Sequence, residues 1–321
     1  MLLLRTLADL SIGNSPQHDL FRAKWGHENT IMWGRARHAD FGPHPHTLSI
    51  RAIWGGTQHC HVGGRTIAVD DDNFLILNHG RIVSTSIRAT HAVESLTICF
   101  APELAGMVHE EAGLTLEQAL DRAGSPTAAV PEFLEHLQHH ENKVSPVLRF
   151  IRAHLCRGLV DDAWYEEQLV FLLERMRARQ SELTEQIEEL GMIRAATRHE
   201  AFRRVGLATD YLHAHYAGNV DLETLARMAC LSKYHFLRLF TAIHGVTPRA
   251  YLQRKRVNVA VRLLESTQLA ISEVAANVGF AYESTLLRHV RRRLKLSPRQ
   301  LRSRVAVSLR DAPRLSAIAA S

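Results

Sequence analysis

The stretch LSKYHFLRLF, Leu231 to Phe240, decides how this chain is read. At helical spacing Phe236, Leu239, Phe240 and Ile243 fall on one stripe, while Tyr234, Leu237, Arg238 and Thr241 gather on the other. The first stripe predicts core. The second is either a solvated face or a reading surface. Upstream, LETLARMA has an apolar stripe at Leu222, Leu225, Ala226 and Ala229, and yields at Cys230-Leu231-Ser232 to the helix just described. Downstream, PRAYLQRKRVNVAVRLLES opens on Pro248, a residue suited to a first helical turn.

The unit occurs twice. An offset of about 50 residues superposes Arg238 on Arg288, Phe240 on Val290, Thr247-Pro248 on Ser297-Pro298 and Arg249 on Arg299. In the second copy ISEVAANV, with Ile271, Val274, Ala275 and Val278 inward, gives way at Gly279-Phe280 to a helix beginning near Glu283. There Leu286, Val290 and Leu294 face inward, and Ser284, Thr285, Arg288 and Arg292 face outward. A short helix, a tight turn and a second helix with a polar outer face is the helix-turn-helix layout. Arginine can bond the O6 and N7 edge of guanine in two places, and hydroxyl side chains can contact phosphates or bases. The 17 residues from Pro248 to Leu264 would span about 25 Å as a helix. A spacer of that order suits two recognition helices in successive grooves about 34 Å apart. Arg254, Lys255 and Arg256 are placed to serve nearby phosphates.

Charge supports a polyanion partner. Residues 206–304 hold 16 Lys or Arg against 6 Asp or Glu, a surplus of ten, so against +6 for all 321 residues the remainder carries −4.

The segment LARMACLSKYHFLRLFTAIHGVTPRAYLQRKR, with Ala226, Ser232, Arg238, Phe240, Gly245, Thr247, Pro248 and Tyr251 in pattern, resembles the DNA-binding domain of the AraC/XylS family of transcription regulators. The resemblance implies a tandem helix-turn-helix domain on promoter DNA, with Tyr234, Leu237 and Arg238 facing the bases. Lys233, Thr241 and Arg254 join them in the first unit and spacer, and Glu283, Ser284, Thr285, Arg288, Arg291 and Arg292 in the second. The second unit departs from the family at Tyr282, where a capping Ser is usual, at Val290 in place of an aromatic, and at Lys295 in place of Gly. The family further implies RNA polymerase and a small-molecule effector as partners.

Residues 1–103 carry short β-type runs, TLSIRAIWGG, RTIAVD, NFLILN and ESLTICF, broken by turn residues. They resemble the cupin-like effector domains fused to this module. FGPHPHTLSIRAIWGG looks like a first cupin motif with the H-x-H pair His44 and His46, and DDDNFLILNHGR like a second with Asn78, His79 and Gly80 at its turn. His59 and His61 also share a strand face. Converging imidazoles suit zinc or iron, but the acid usual after H-x-H is replaced by Leu48, Ser49, Ile50 and Arg51. The alternative is an organic-ligand pocket at His44, His46, Arg51, Trp54 and His79, with no cofactor.

Residues 104–204 turn to helical periodicity in PEFLEHLQHHEN, SPVLRFIRAHLCRG and DDAWYEEQLVFLLERMRARQSELTEQIEEL. Leu169, Leu173, Met176, Gln180, Leu183, Ile187 and Leu190 alternate steps of four and three, a heptad seam that pairs two subunits or covers the barrel of its own chain. The expected chain is therefore an α+β multidomain protein. It comprises a cupin-like barrel (1–103), a helical linker or dimerisation region (104–204), an all-α tandem helix-turn-helix domain (205–304) and a flexible tail (305–321). Scattered Cys60, Cys99, Cys156 and Cys230 read as buried reduced thiols, and Asp70-Asp71-Asp72 as a solvated turn. With no signal peptide and no apolar run of spanning length, a cytoplasmic protein without membrane contact is expected. No nucleophile and base stand at informative spacing, so no enzyme is expected. The rival readings are a metal-dependent cupin enzyme with an incidental basic tail, and a DNA-binding protein whose barrel is only scaffold.

Overall fold

The structure, a computed structural model, describes residues 1–7, 16–111, 129–140, 143–188, 195–297 and 300–301. Two compact units emerge, Met1–Asp210 with Ala242–His244, and Tyr211–Thr241 with Gly245 onward.

The first unit is built on one eight-stranded, almost wholly antiparallel sheet rolled into a nearly closed barrel. Its strands are β1 (Leu2–Leu4), β2 (Thr30–Pro45), β3 (Ser49–Trp54), β4 (Thr57–Val62), β5 (Arg65–Asp70), β6 (Asn73–Leu77), β7 (Ile82–Cys99) and β8 (Leu137–His139). The 18-residue β7 organises the rest. Its first half pairs β4 and β2, its second half β3 and β2. Strand β2 follows it by two register shifts, between Ala36 and His38 and between Phe41 and His44, where the bulges bend the sheet.

Successive residues of β3 point to opposite sides. Ile53 joins an inner core with Cys60, Val69, Leu75, Val83 and Ile87. Ile50 and Ala52 join Phe74, Ile76, Leu96 and Ile98 in a second core beneath helices α2 (Pro102–Glu111), α3 (Val144–Cys156) and α4 (Asp162–Glu188). All five residues of β6 are buried, as a strand covered on both faces requires. Polar ties fix the helices: Glu94 on β7 accepts hydrogen bonds from Arg152 of α3 at 2.6 and 3.0 Å and from Trp33 at 3.0 Å. The Arg152 guanidinium also lies 4.5 Å from the Trp54 ring centroid. A nine-residue helix, α1 (Pro16–Lys24), precedes β2.

Several expectations are corrected here. Within PEFLEHLQHHEN, the described residues Pro131 to His140 are not helical. Phe133 and Asn78 exchange two 2.8 Å hydrogen bonds, and Leu137–His139 form β8 along β6, so tertiary pairing overrides local periodicity. The heptad seam is spent within the chain: Leu169, Leu173, Met176 and Leu183 are buried, the first three in the core shared with the barrel. Gln180 accepts from the Leu134 amide at 3.3 Å. Leu190 of that seam lies outside the described residues, as do the tail and Pro298-Arg299. Asp70 is fully buried, accepting from Asn73 Nδ2 at 2.8 Å, so the acidic run is an anchored turn. Cys60 and Cys99 are buried, but Cys156 and Cys230 are exposed.

The second unit is all helical. It begins within α5 (Ala195–Ala214) and continues through α6 (Leu222–Met228), α7 (Lys233–His244), α8 (Pro248–Ser266), α9 (Ile271–Asn277) and α10 (Glu283–Leu294). Among the described residues no helix is long and apolar enough to cross a membrane.

Candidate nucleic-acid interface

Each element of the first helix-turn-helix unit starts on a side-chain cap. Asp221 Oδ1 accepts from the Thr224 amide at 2.7 Å, Ser232 Oγ from His235 at 3.3 Å and Thr247 Oγ1 from Ala250 at 3.3 Å. Helix α7 ends at Gly245, whose φ of 67° closes it through a bond to the Thr241 carbonyl. Phe236, Leu239, Phe240 and Ile243 are all but fully buried. Behind them Tyr251 is buried too, its hydroxyl 2.8 Å from His213 Nε2. Because that stripe is fixed, the opposite face is fixed as well. Lys233, Tyr234, His235 and Arg238 stand in solvent, with Leu237 and Thr241 half-buried at its edge. Tyr234 is 70% exposed, a solvation no packing argument explains. The Arg238 guanidinium lies 5.5 Å from its ring centroid. The Lys233 ammonium pairs with Glu223 of α6 at 2.9 Å, and Thr241 Oγ1 donates to the Leu237 carbonyl.

The second unit repeats this with a difference. In each turn one residue adopts a left-handed conformation, Cys230 at φ 51° and Gly279 at φ 84°. The next amide then bonds back to the first helix, Leu231 to Ala226 and Phe280 to Ala275. Those positions are 49 residues apart, but the helix caps Ser232 and Tyr282 are 50 apart, so the second turn is one residue longer. Helix α10 has no side-chain cap at Tyr282 and ends on Lys295 in a left-handed conformation at φ 56°, as its departures from the first unit's residues lead one to expect. Leu286 and Val290 are buried. Glu283, Ser284, Arg288, Arg291, Arg292 and Arg293 are exposed, and Thr285 is half-buried.

Helix α8 joins the units. A furrow of about 620 Å³ between α8 and α10 is edged by Arg249, Arg254, Arg292 and Arg293, an electropositive strip beside α10. Sequence reasoning mistook two neighbours for phosphate ligands. Lys255 is buried against the Tyr216 ring. Arg256 turns inward and donates to the Tyr216 and Gly218 carbonyls, both at 2.7 Å. That segment also packs on the second turn, where any Cβ on Gly279 would overlap the Ala217 carbonyl oxygen.

In the first unit, His44, His46 and Arg51 come together inside the barrel, the two imidazole centroids 4.5 Å apart. Trp54 and His79 do not join them. Trp54 has the opposite parity to Arg51 on β3 and packs under α3, and His79 is exposed at the turn after β6. His59 and His61 are likewise not in that cavity, whose free volume is about 10 Å³. Gln58, Thr85, Ser95 and Thr97 complete its polar lining, which the sequence reading missed. Strand parity and the register with Arg51 were the available signals. Among the described residues no three His, Cys, Asp or Glu side chains converge as a metal site would require.

The pattern of a helix-turn-helix domain family matches residues 225–304. The HTH-type transcriptional regulator AlkR of Acinetobacter baylyi is 36% identical over 91 residues, 28% of this chain and 30% of that protein. The uncharacterized HTH-type transcriptional regulator YbfI of Bacillus subtilis is 28% identical over 232 residues, 69% of this chain and 74% of that one. Among solved structures, the DNA-binding domain of AdpA in complex with a target DNA is 33% identical, covering 34% of this chain and 96% of that chain, with a TM-score of 0.31. The match to AlkR thus spans under a third of that relative's length.

Proposed function

We propose that the chain, whose residues 225–304 match a helix-turn-helix family and which is similar to HTH-type transcriptional regulators, is a regulator of the AraC/XylS type that reads a bipartite promoter sequence with α7 and α10. In this reading the barrel binds a small-molecule effector that alters DNA affinity, and RNA polymerase is the further protein partner. No catalytic step is involved.

The observation that carries the reading is the face of α7. A helix whose back is locked by three fully buried large side chains presents Tyr234 and Arg238 to solvent. Arg238 reads a base edge and Tyr234 supports it. Lys233 and Arg254, with Arg291 and Arg292 of the second unit, serve the phosphates. Arg288 with Ser284, Thr285 and Glu283 forms the second reading face. Selection of bound fragments from random duplex DNA tests this directly. The wild type should enrich a sequence with two separated blocks, and Arg238→Ala should lose the block read by α7, with discrimination falling by about 1–3 kcal/mol. Equal retention of random and selected duplexes by the wild type would overturn the reading.

A further inference from the structure

Inside the barrel lies a cation with no carboxylate beside it among the described residues. Arg51 is 3% exposed. Its one hydrogen-bonding neighbour among the described residues is His46, whose Nε2 and Nδ1 stand 3.1 and 3.3 Å from Nη2. A neutral imidazole has one acceptor nitrogen, so His46 satisfies at most one of the five guanidinium N–H donors and is a poor partner for the cation. Arg51 Nε is buried with no hydrogen bond, as is Ser49 Oγ on the same face of β3.

Among the described residues the surroundings supply no counter-charge. Burial, then Arg51 and His44, push the His46 pKa far down and keep the ring neutral. Burial raises both nearby thiols, Cys99 to about 12 despite Arg51, and keeps them protonated. Thr97, paired with Arg51 across the strands, and buried Ser95 and Gln58 add neutral polar groups.

A buried guanidinium without an anion is costly, and its planar set of donors matches a carboxylate in two-point contact. The remaining edge of the cavity is apolar, formed by Leu7, Met32 and Phe41. The geometry points to a small organic carboxylate as the ligand of this barrel, its head on Arg51 and its aliphatic tail among Leu7, Met32 and Phe41. This rests on the effector reading above and names the effector's chemistry. A cavity of about 10 Å³ holds one water at most, so the ligand enters by displacing those three apolar side chains.

The test uses the full-length chain, with thermal unfolding followed in sodium acetate, butyrate, hexanoate and octanoate against the matching amides at equal ionic strength. Saturation-transfer NMR on the ligand protons is the second readout. At least one acid should raise the wild-type midpoint by about 2–4 °C at 10 mM while its amide does not. Arg51→Met should unfold no earlier than the wild type without ligand and should lose the response. Thr97→Val, which keeps the cation, should weaken the same acid severalfold, and decides the matter should Arg51→Met not fold. Acid and amide acting alike, no response to any acid in either readout, an undiminished response in Arg51→Met, or unchanged affinity in Thr97→Val would overturn the assignment. Random-duplex selection on the same preparation separates the two readings. Sequence enrichment without a carboxylate response sinks only this proposal, and no enrichment sinks the regulator.

Discussion

Glu94 shows how one carboxylate can hold a helix layer to a barrel. Its side chain is 5% exposed. Burial alone would raise its pKa, but hydrogen bonds from Arg152 and Trp33 and the charges of Arg152 and Arg35 outweigh that and hold it at about 2, below the ordinary 4.5. A carboxyl depressed in the folded state contributes stability above its unfolded pKa, and that contribution disappears as pH falls through the folded value. Glu94→Gln should therefore cost about 2–3 kcal/mol at pH 7. The gap between variant and wild type in urea titrations, read by tryptophan fluorescence, should close between pH 4.5 and 2. A gap constant across that window would show that Glu94 acts by packing alone. At this scale the sequence was informative where a residue's role is local. Pro248 was readable as a first-turn residue because that role needs only its own turn. The inward course of Lys255 and Arg256 was not readable, because their partners, the Tyr216 ring and the carbonyls of Tyr216 and Gly218, lie about 40 positions away.

The two recognition helices carry the same apolar stripe with unequal ends. Helix α7 has Ser232 and Gly245, whereas α10 has an uncapped Tyr282 and a left-handed Lys295. Tyr282→Ser, at φ −136° and ψ 137° already suited to a cap, should stabilise α10 by about 1 kcal/mol. Lys295→Gly should add roughly 0.5–1 kcal/mol by relieving the left-handed backbone. Amide exchange in α10 should slow in both variants while exchange in α7 stays as it was. Faster exchange in α10 would show that the native side chains hold the helix in some other way. Sequence period was a good guide to helices whose stripe meets a neighbour near in sequence, and a poor one for PEFLEHLQHHEN. That segment's hydrogen bonds run to Asn78, Gln180 and β6 among others, so nothing within it records the strand. The heptad seam had the right period for a helix, but periodicity does not say whether its partner is another copy or the same chain's barrel.

At the scale of the whole molecule, charge is divided as function would have it: +10 over residues 206–304 against −4 elsewhere. Affinity for DNA should consequently fall steeply with salt. Arg293→Ala, which removes an exposed cation beside α8, should lower the slope of log K against log salt by about 1 on specific and random duplexes alike. A loss confined to the selected sequence would instead make Arg293 a base reader. The fold class was legible because strands and helices each carry their own periodicity, two for the strands and 3.6 for the helices. The capacity of the barrel was not, since free volume depends on how Leu7, beyond β1, and Met32 and Phe41, far apart on β2, meet beside Arg51.

The clasp of Arg256 on the Tyr216 and Gly218 carbonyls, with Gly279 seated against Ala217, makes the second unit behave as a caliper of set opening. A caliper cannot follow an operator whose two blocks are moved apart. One inserted base pair turns the far block by about a tenth of a helical turn, so on the proposed reading a duplex carrying that insertion should bind more weakly than the selected one.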